Sequence, residues 1–217
     1  MIRNLGKQHS MLNQYIAEIR DEEIQRDSMR FRRNLERIGE IFAYEISKEL
    51  PYSDAEVHTS LGTAMVPRLD EQPVIASILR AGIPLHMGVL DIFDRAENAF
   101  ISAYRKYHKD GGFTVQVEYL SSPALEGRTL ILTDPMLATG TSMVLAYREL
   151  MVKGRPSHTH ILTILASIEG VEYVRRHLSN TEVTLWVGAI DDELTAQAYI
   201  VPGLGDAGDL AFGSKDS

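Results

Sequence analysis

Between Thr133 and Ser142 the chain reads Thr-Asp-Pro-Met-Leu-Ala-Thr-Gly-Thr-Ser, set between an apolar run and a helical pattern. A connecting turn needs only Gly, Asn or Asp, so a carboxylate, a proline and a cluster of hydroxyls around one glycine exceed what folding requires. Helix amino termini present unpaired N–H groups and a partial positive charge, and so attract phosphate. Thr139, Thr141 and Ser142 add hydroxyl donors, and Gly140 lets the backbone come close to an anion. Asp134 would be repelled by a phosphate unless it held something else, such as sugar hydroxyls or a metal bound by the same ligand. A ribose 5-phosphate supplies both halves. The alternative is an ordinary strand-to-helix turn, with Thr139 or Thr141 as N-cap and Asp134 capping locally. No G-x-x-x-x-G-K-[ST] nucleotide loop occurs.

Three further segments carry unusual residues. In "SILRAGIPLHMGVL", Arg80 ends an apolar run and Ala81-Gly82 form a tight turn; the arginine can fork two donors onto a diphosphate, and Gly82 permits close backbone approach. A surface arginine beside a turn is the plainer reading. "SAYRKYHKDGGFTVQVEYLSSP" places Arg105, Lys106 and Lys109 ahead of Asp110-Gly111-Gly112. That is either a mobile basic arm able to close over a charged ligand or a solvated hairpin with incidental lysines. In "AYIVPGLGDAGDLAFG", residues 203–208 spell G-x-G-x-x-G, but a dinucleotide fingerprint must open a helix inside a βαβ unit. Only nine residues follow Gly208, so a glycine-rich turn exposing backbone N–H and C=O groups is expected, with a frayed tail as the alternative. His158 and His160 read as ordinary strand positions, and Met136, Met143 and Met151 as packing residues.

These loops need a frame, and the hydrophobic pattern supplies one. Phe31, Leu35, Ile38, Phe42 and Ile46 keep to one face of a helix over 29–50, with Asp27 or Ser28 as cap and Pro51 as stop. A weaker helix is expected around Met11–Arg20, and a small hairpin or arm between Glu56 and Leu69, around Gly62. Apolar strands at 73–79, 98–104, 128–133, 158–167 and 182–190 then alternate with helices near 84–95, 142–153 and 170–178. The stretch 105–123 reads as irregular. Such alternation predicts a single α/β domain over 1–217, with a parallel sheet covered on both faces. Ligands then sit at the carboxyl ends of the strands, where all these loops fall.

The 217 residues include 44% hydrophobic ones, enough for a sizeable core, and the net charge of −8 does not favour broad nucleic-acid binding. There are no cysteines, which excludes disulfides and thiolate metal sites and fits a reducing compartment. No apolar run has signal-peptide or membrane-spanning length, so a cytoplasmic globular protein with no membrane or nucleic-acid partner is expected.

"ILTDPMLATGTS" resembles the signature with which type I phosphoribosyltransferases bind PRPP (5-phosphoribosyl 1-diphosphate). Asp134-Pro135, where most of that superfamily has two adjacent acids, is similar to the uracil phosphoribosyltransferase branch, as is "YIVPGLGDAGD". The resemblance implies a type I phosphoribosyltransferase fold: a mainly parallel twisted sheet flanked by helices, an amino-terminal helical segment (1–50), a flexible flap (105–123) and a base-binding segment (199–213). It implies conversion of uracil and PRPP to UMP and diphosphate. PRPP would be bound by Arg80, Arg105, Asp134, Pro135, Met136, Leu137, Ala138, Thr139, Gly140, Thr141, Ser142 and Asp206, and uracil by Ile200, Gly205, Asp206 and Ala207. Asp134, Arg105 and Asp206 would act at the reacting centre, although the group that takes the N1 proton of uracil is left open. Uracil shows two carbonyls with an N–H between them, so a backbone wall can pair with it and mismatch cytosine. Mg²⁺ would arrive on the substrate, and no protein side chain is singled out as its ligand. The family is usually dimeric or higher, and some members respond to GTP. Gly140-Thr141-Ser142 departs from the usual Gly-Gly-Ser of the family, and the stretch after Arg105 departs from the bacterial pattern. Two rivals follow from the same residues. A transferase for orotate would want a cation in the 199–213 segment, which has none; an RNA-binding regulator would want a basic face.

Overall fold

The computed structural model describes residues 1–107, 113–179 and 182–214, without the side chains of 103–116. Lys109 and Asp110-Gly111-Gly112 lie outside the described residues, as do the side chains of Arg105 and Lys106. The frame is one sheet whose strands are β1 (Ile2–Asn4), β4 (Val74–Leu79), β5 (Glu97–Tyr107), β6 (Phe113–Ser121), β7 (Thr129–Thr133), β8 (Met136–Leu137), β9 (His158–Ser167) and β10 (Val183–Asp191). Their order is β1-β10-β9-β7-β4-β5-β6, with β8 continuing beside β9. Every pairing is parallel except that of β5 with β6. A separate antiparallel hairpin, β2 (Tyr52–Thr59) and β3 (Gly62–Leu69), forms the expected arm.

Successive side chains of a strand point to opposite faces, and here both faces are apolar. Ile75 and Ile131 pack into one core with helices α1 (Met11–Arg20), α2 (Ser28–Ser47) and α3 (Gly82–Ile92). Val74, Ala76, Ile78, Leu130 and Leu132 pack into the other with α4 (Thr141–Leu150) and α5 (Ile168–His177). The periodic residues of α2 are all buried, and Asp27 rather than Ser28 caps it, its carboxylate accepting from the N–H of Arg30 at 3.0 Å. Truncating one such residue, Phe42→Ala for example, removes core volume that typically contributes about 3–5 kcal/mol.

Three elements differ from the sequence expectation. Residues 113–121, read as irregular, form the strand β6 at the sheet edge. Ile2–Asn4 adds an edge strand that three residues could not announce by periodicity. The glycine-rich segment does open a helix, α6 (Ala207–Phe212), after a short hairpin of β11 (Glu193–Leu194) and β12 (Ile200–Val201). It starts because the Asp206 carboxylate accepts from the N–H of Asp209 at 3.0 Å, an N-cap inside the glycine pattern. No helix among the described residues is long and apolar enough to cross a membrane.

His158 and His160 are strand residues with structural partners. The Trp186 indole N–H donates to His160 Nδ1 at 3.0 Å, and His158 Nε2 lies 3.0 Å from the Thr184 hydroxyl. Burial, with a smaller push from His158, lowers the His160 pKa to about 3.

Candidate active site

The carboxyl ends of β4 and β7 are neighbours in the sheet, and the loops that leave them converge. Strand β7 pairs with β9 as far as Thr133↔Leu162, and β8 resumes in the same register at Met136↔Leu165. Between them Pro135 has no N–H for the ladder, so the strand is interrupted there while its carbonyl accepts from Ile164 and Leu165, each at 3.0 Å. The interruption leaves Asp134 half-buried, with Oδ1 accepting from the N–H of Met136 at 3.3 Å. Asp134 therefore does brace its turn, as the structural alternative held, and it also lines a cavity with Arg80, Ala81, Ser142, Asp206 and Gly208. Four of the predicted polar residues meet there, from three separated stretches of chain.

The loop then turns into α4 at Gly140, whose φ of +79° is a left-handed conformation that glycine adopts without strain. Neither threonine is the N-cap residue. Gly140 occupies that place, and no side chain caps the helix start. The Thr141 N–H and the hydroxyls of Thr139 and Thr141 form a loose cluster at 3.2–3.4 Å. The start of α4 thus presents an uncapped first turn and hydroxyl donors, with Ser142 on the cavity wall. Gly140 has a second duty besides approach to an anion: a Cβ there would lie 2.9 Å from the Gly170 carbonyl and 3.1 Å from Tyr173.

Helix α5 is the template for this loop. Ser167 caps α5 by accepting from the N–H of Gly170 at 2.8 Å, and its hydroxyl donates to the Ala138 carbonyl at 2.6 Å. A Cβ at Gly170 would sit 2.3 Å from that same carbonyl oxygen and 2.6 Å from that of Leu137. Leu137 and Pro135 are buried, so those two predicted contacts can reach a ligand only through backbone. Met136, Ala138, Thr139, Thr141 and Ser142 are partly exposed.

Arg80 follows a cis peptide with Leu79, and its Nη2 donates to Asp209 Oδ1 at 3.0 Å and to the Gly213 carbonyl at 3.2 Å. Gly82 allows a close approach, but the partner is protein: a Cβ there would lie 2.5 Å from the Ser77 hydroxyl and 2.9 Å from the Thr133 carbonyl. That contact holds the Arg80 turn against the Asp134 hinge. Arg105 lies in β5 opposite Val115, and its side chain is outside the described residues.

In the base segment Ile200 and Ala207 are buried, Gly205 is exposed with φ +97°, and Asp206 uses one oxygen to cap α6. Gly208 brings α6 to the Arg80 turn, since a Cβ there would lie 3.9 Å from both Ala81 Cβ and Arg80 Nη2. Ser167, Gly170 and Asp209, which sequence reasoning missed, each touch a predicted site residue: Ser167 and Gly170 meet Ala138, and Asp209 meets Arg80.

An uncapped helix start beside a carboxylate, at the carboxyl edge of a parallel sheet and facing an arginine turn, is a cleft suited to an anionic ligand that also carries hydroxyls. Comparison with known proteins carries the assignment further. A family model described as uracil phosphoribosyltransferase matches residues 6–214. A uracil phosphoribosyltransferase of Porphyromonas gingivalis is 50% identical over 212 residues, 98% of each chain. One from Methanothermobacter thermautotrophicus is 37% identical over 189 residues, covering 86% of this chain and 85% of the relative. A solved structure of a protein from Aquifex aeolicus superposes with a TM-score of 0.87 at 28% identity, over 98% of both chains. The chain belongs to the uracil phosphoribosyltransferase family and is a pentosyltransferase that joins uracil to the phosphoribosyl group of PRPP, releasing diphosphate.

Proposed function

We propose that the cavity between the Arg80 turn, the Asp134 hinge and the base segment is where this transfer takes place. The observation that carries the reading is the convergence of Arg80, Asp134, Ser142 and Asp206 on one cavity. The 5-phosphate sits on the amino terminus of α4, held by the N–H groups and hydroxyls of Thr139, Gly140, Thr141 and Ser142. Asp134 accepts from the ribose hydroxyls, which orients C1 toward the base. Arg80 receives the diphosphate; to do so it exchanges Asp209 and the Gly213 carbonyl for phosphate oxygens. Arg105 adds a second cation from the flap. As the C1–O bond breaks, negative charge grows on the diphosphate and positive charge on the ribose, so the arginines and Asp134 stabilise opposite ends of the transition state. Uracil pairs edge-on with backbone of the segment around Ile200, Gly205 and Ala207. Asp206 keeps one oxygen in the α6 cap and turns toward the same cavity.

Among the described residues no group of three or more His, Cys, Asp or Glu could hold a metal. The donor set fits Mg²⁺ carried by the diphosphate oxygens, with Asp134 and Asp206 as the carboxylates beside it. That ion would neutralise leaving-group charge. The lack of cysteine supports a cytoplasmic setting. A homo-oligomer of two or more chains, and activation by GTP, are expectations of the family likeness, tested by light scattering and by adding GTP to the assay.

The test is a base panel. With PRPP and Mg²⁺, pyrophosphate release is expected with uracil and not with cytosine, orotate or purines. Release with another base but none with uracil overturns the pairing proposed at the base segment.

A further inference from the structure

Helix α1 belongs to no part of the proposed cavity, yet its last residue reaches the base segment. Arg20 forks onto Asp191, the final residue of β10, with both nitrogen–oxygen distances at 2.8 Å. The same Arg20 Nη1 donates to the Gly203 carbonyl at 3.0 Å, and the Gly203 N–H donates to Asp191 Oδ2 at 3.0 Å. These four bonds close a ring around one residue, Gly203, gripping both its N–H and its carbonyl. Gly203 follows the cis Val201–Pro202 bond, has φ +54°, and leaves no room for a Cβ, which would lie 2.1 Å from the Ile200 carbonyl oxygen. Gln25, with its amide nitrogen turned to the carbonyls, donates to Leu204 at 2.9 Å and to Ile19 at 3.1 Å. Two consecutive carbonyls of the segment are thus held from α1 and the turn after it.

Asp191 is buried, with only 7% of its side chain exposed, and Arg20 with 22%. Burial raises the carboxyl pKa, but the Arg20 hydrogen bonds, the Gly203 N–H and the Arg20 charge outweigh it and hold the group below its ordinary range. A buried pair is weak evidence for stability, because desolvation offsets most of its attraction. Its better-founded use is to fix geometry. Here the geometry fixed is the turn between Ile200 and Gly205. A wall of backbone donors and acceptors discriminates between pyrimidines only when it cannot rotate to suit the wrong one.

We propose that Arg20 and Asp191 are positioning residues for the pyrimidine: the ring they form with Gly203 sets the backbone edge that uracil pairs with. The inference rests on the reading that residues 200–207 hold the base. In β9, the strand beside β10, Ser167 lies opposite Asp191. The two neighbouring strand ends divide the work, Ser167 bracing the phosphate loop and Asp191 the base turn.

The test uses the full chain and three variants, Asp191→Asn, Arg20→Gln and Arg20→Lys, with KM for uracil and for PRPP, kcat and Tm measured for each. For the first two, the KM for uracil is expected to rise about tenfold or more, the scale of losing a hydrogen bond to a charged group, while the KM for PRPP stays within about twofold. Arg20→Lys keeps the charge without the fork, so it falls between the parent and Arg20→Gln. An unchanged uracil KM in both Asp191→Asn and Arg20→Gln, or an equal rise in both KM values, overturns the proposal. If Asp191→Asn does not fold, the two Arg20 variants decide it alone. Hydrogen exchange of the parent protein with saturating UMP tests the underlying reading separately. Protection of the amides of 203–207 supports the base segment whatever the variants do, and its absence removes that reading and this inference together.

Discussion

Replacing Gly170 by alanine tests how rigidly α5 shapes the loop proposed to hold the phosphate, because two effects of opposite sign compete at that position. In a helix, alanine is favoured over glycine by about 1 kcal/mol, so an open site would make Gly170→Ala stabilising. The site is closed. The new Cβ would lie 2.3 Å from the Ala138 carbonyl oxygen and 2.6 Å from that of Leu137, against an ordinary contact of 3.4 Å or more. Both obstacles are backbone, so either α5 or the loop must move by about 1 Å, and a displacement of that size near the reacting groups costs about 100-fold in rate. That is about 2.7 kcal/mol of transition-state stabilisation. Overpacking of this kind destabilises by about 1–3 kcal/mol, so after the helix-propensity gain a net loss of no more than about 2 kcal/mol is expected. Steady-state pyrophosphate release at varied PRPP and varied uracil measures the first effect, and urea unfolding the second. We expect kcat/KM for PRPP to fall about 100-fold in a protein that still unfolds cooperatively. A variant that gained about 1 kcal/mol and kept kcat/KM within about threefold would show that the loop accepts the methyl group without moving, and the template role of α5 would be wrong.

Other perturbations test separate parts of the account. Asp134→Asn keeps the shape of the hinge and removes the charge proposed to accept from the ribose, so turnover should drop by about 100-fold or more with Tm little changed; near-normal turnover would refute the ribose role. Ser167→Ala removes both the α5 cap and the bond to Ala138, and is expected to lose about 0.5–2 kcal/mol of stability and to raise the KM for PRPP more than that for uracil, as read by melting and kinetics. The depressed pKa of His160 carries a sign for acid stability. The unfolded chain takes up this proton near pH 6.5 and the folded chain only near 3, so the stabilisation is complete above about 6.5 and is lost as pH falls toward 3. His86, also lowered by burial, adds to the same slope. Urea melts across that window should show a shallower decline in His160→Gln, by up to about 1.4 kcal/mol per pH unit; an unchanged slope would contradict a buried neutral imidazole.

The frame was legible because its signals are local. The four- and three-residue steps of α2 and the alternating apolar runs of β4 and β7 state which face is buried before any contact is known. The Asp134 hinge and the Arg80 turn were legible because their residue types exceed what a turn needs. The edge strands β1 and β6 were not, since an edge is half-solvated and carries a weak pattern. The short helix α6 was hidden by its glycines, its start fixed by one carboxylate. The supports of the site were invisible for another reason. Ser167 meets Ala138 across 29 residues and Arg20 meets Asp191 across 171, and neither pair has a spacing that sequence periodicity registers.

The central claim is that one cavity holds an activated sugar by its phosphate at the start of α4 and a pyrimidine by its edge at the base segment. A crystal structure of the protein with UMP tests it most directly. The account places the phosphate within hydrogen-bonding distance of Thr139–Ser142, the ribose hydroxyls on Asp134 and the uracil edge on backbone between Ile200 and Ala207. A nucleotide bound with its phosphate on Arg80, or away from α4 altogether, would contradict it.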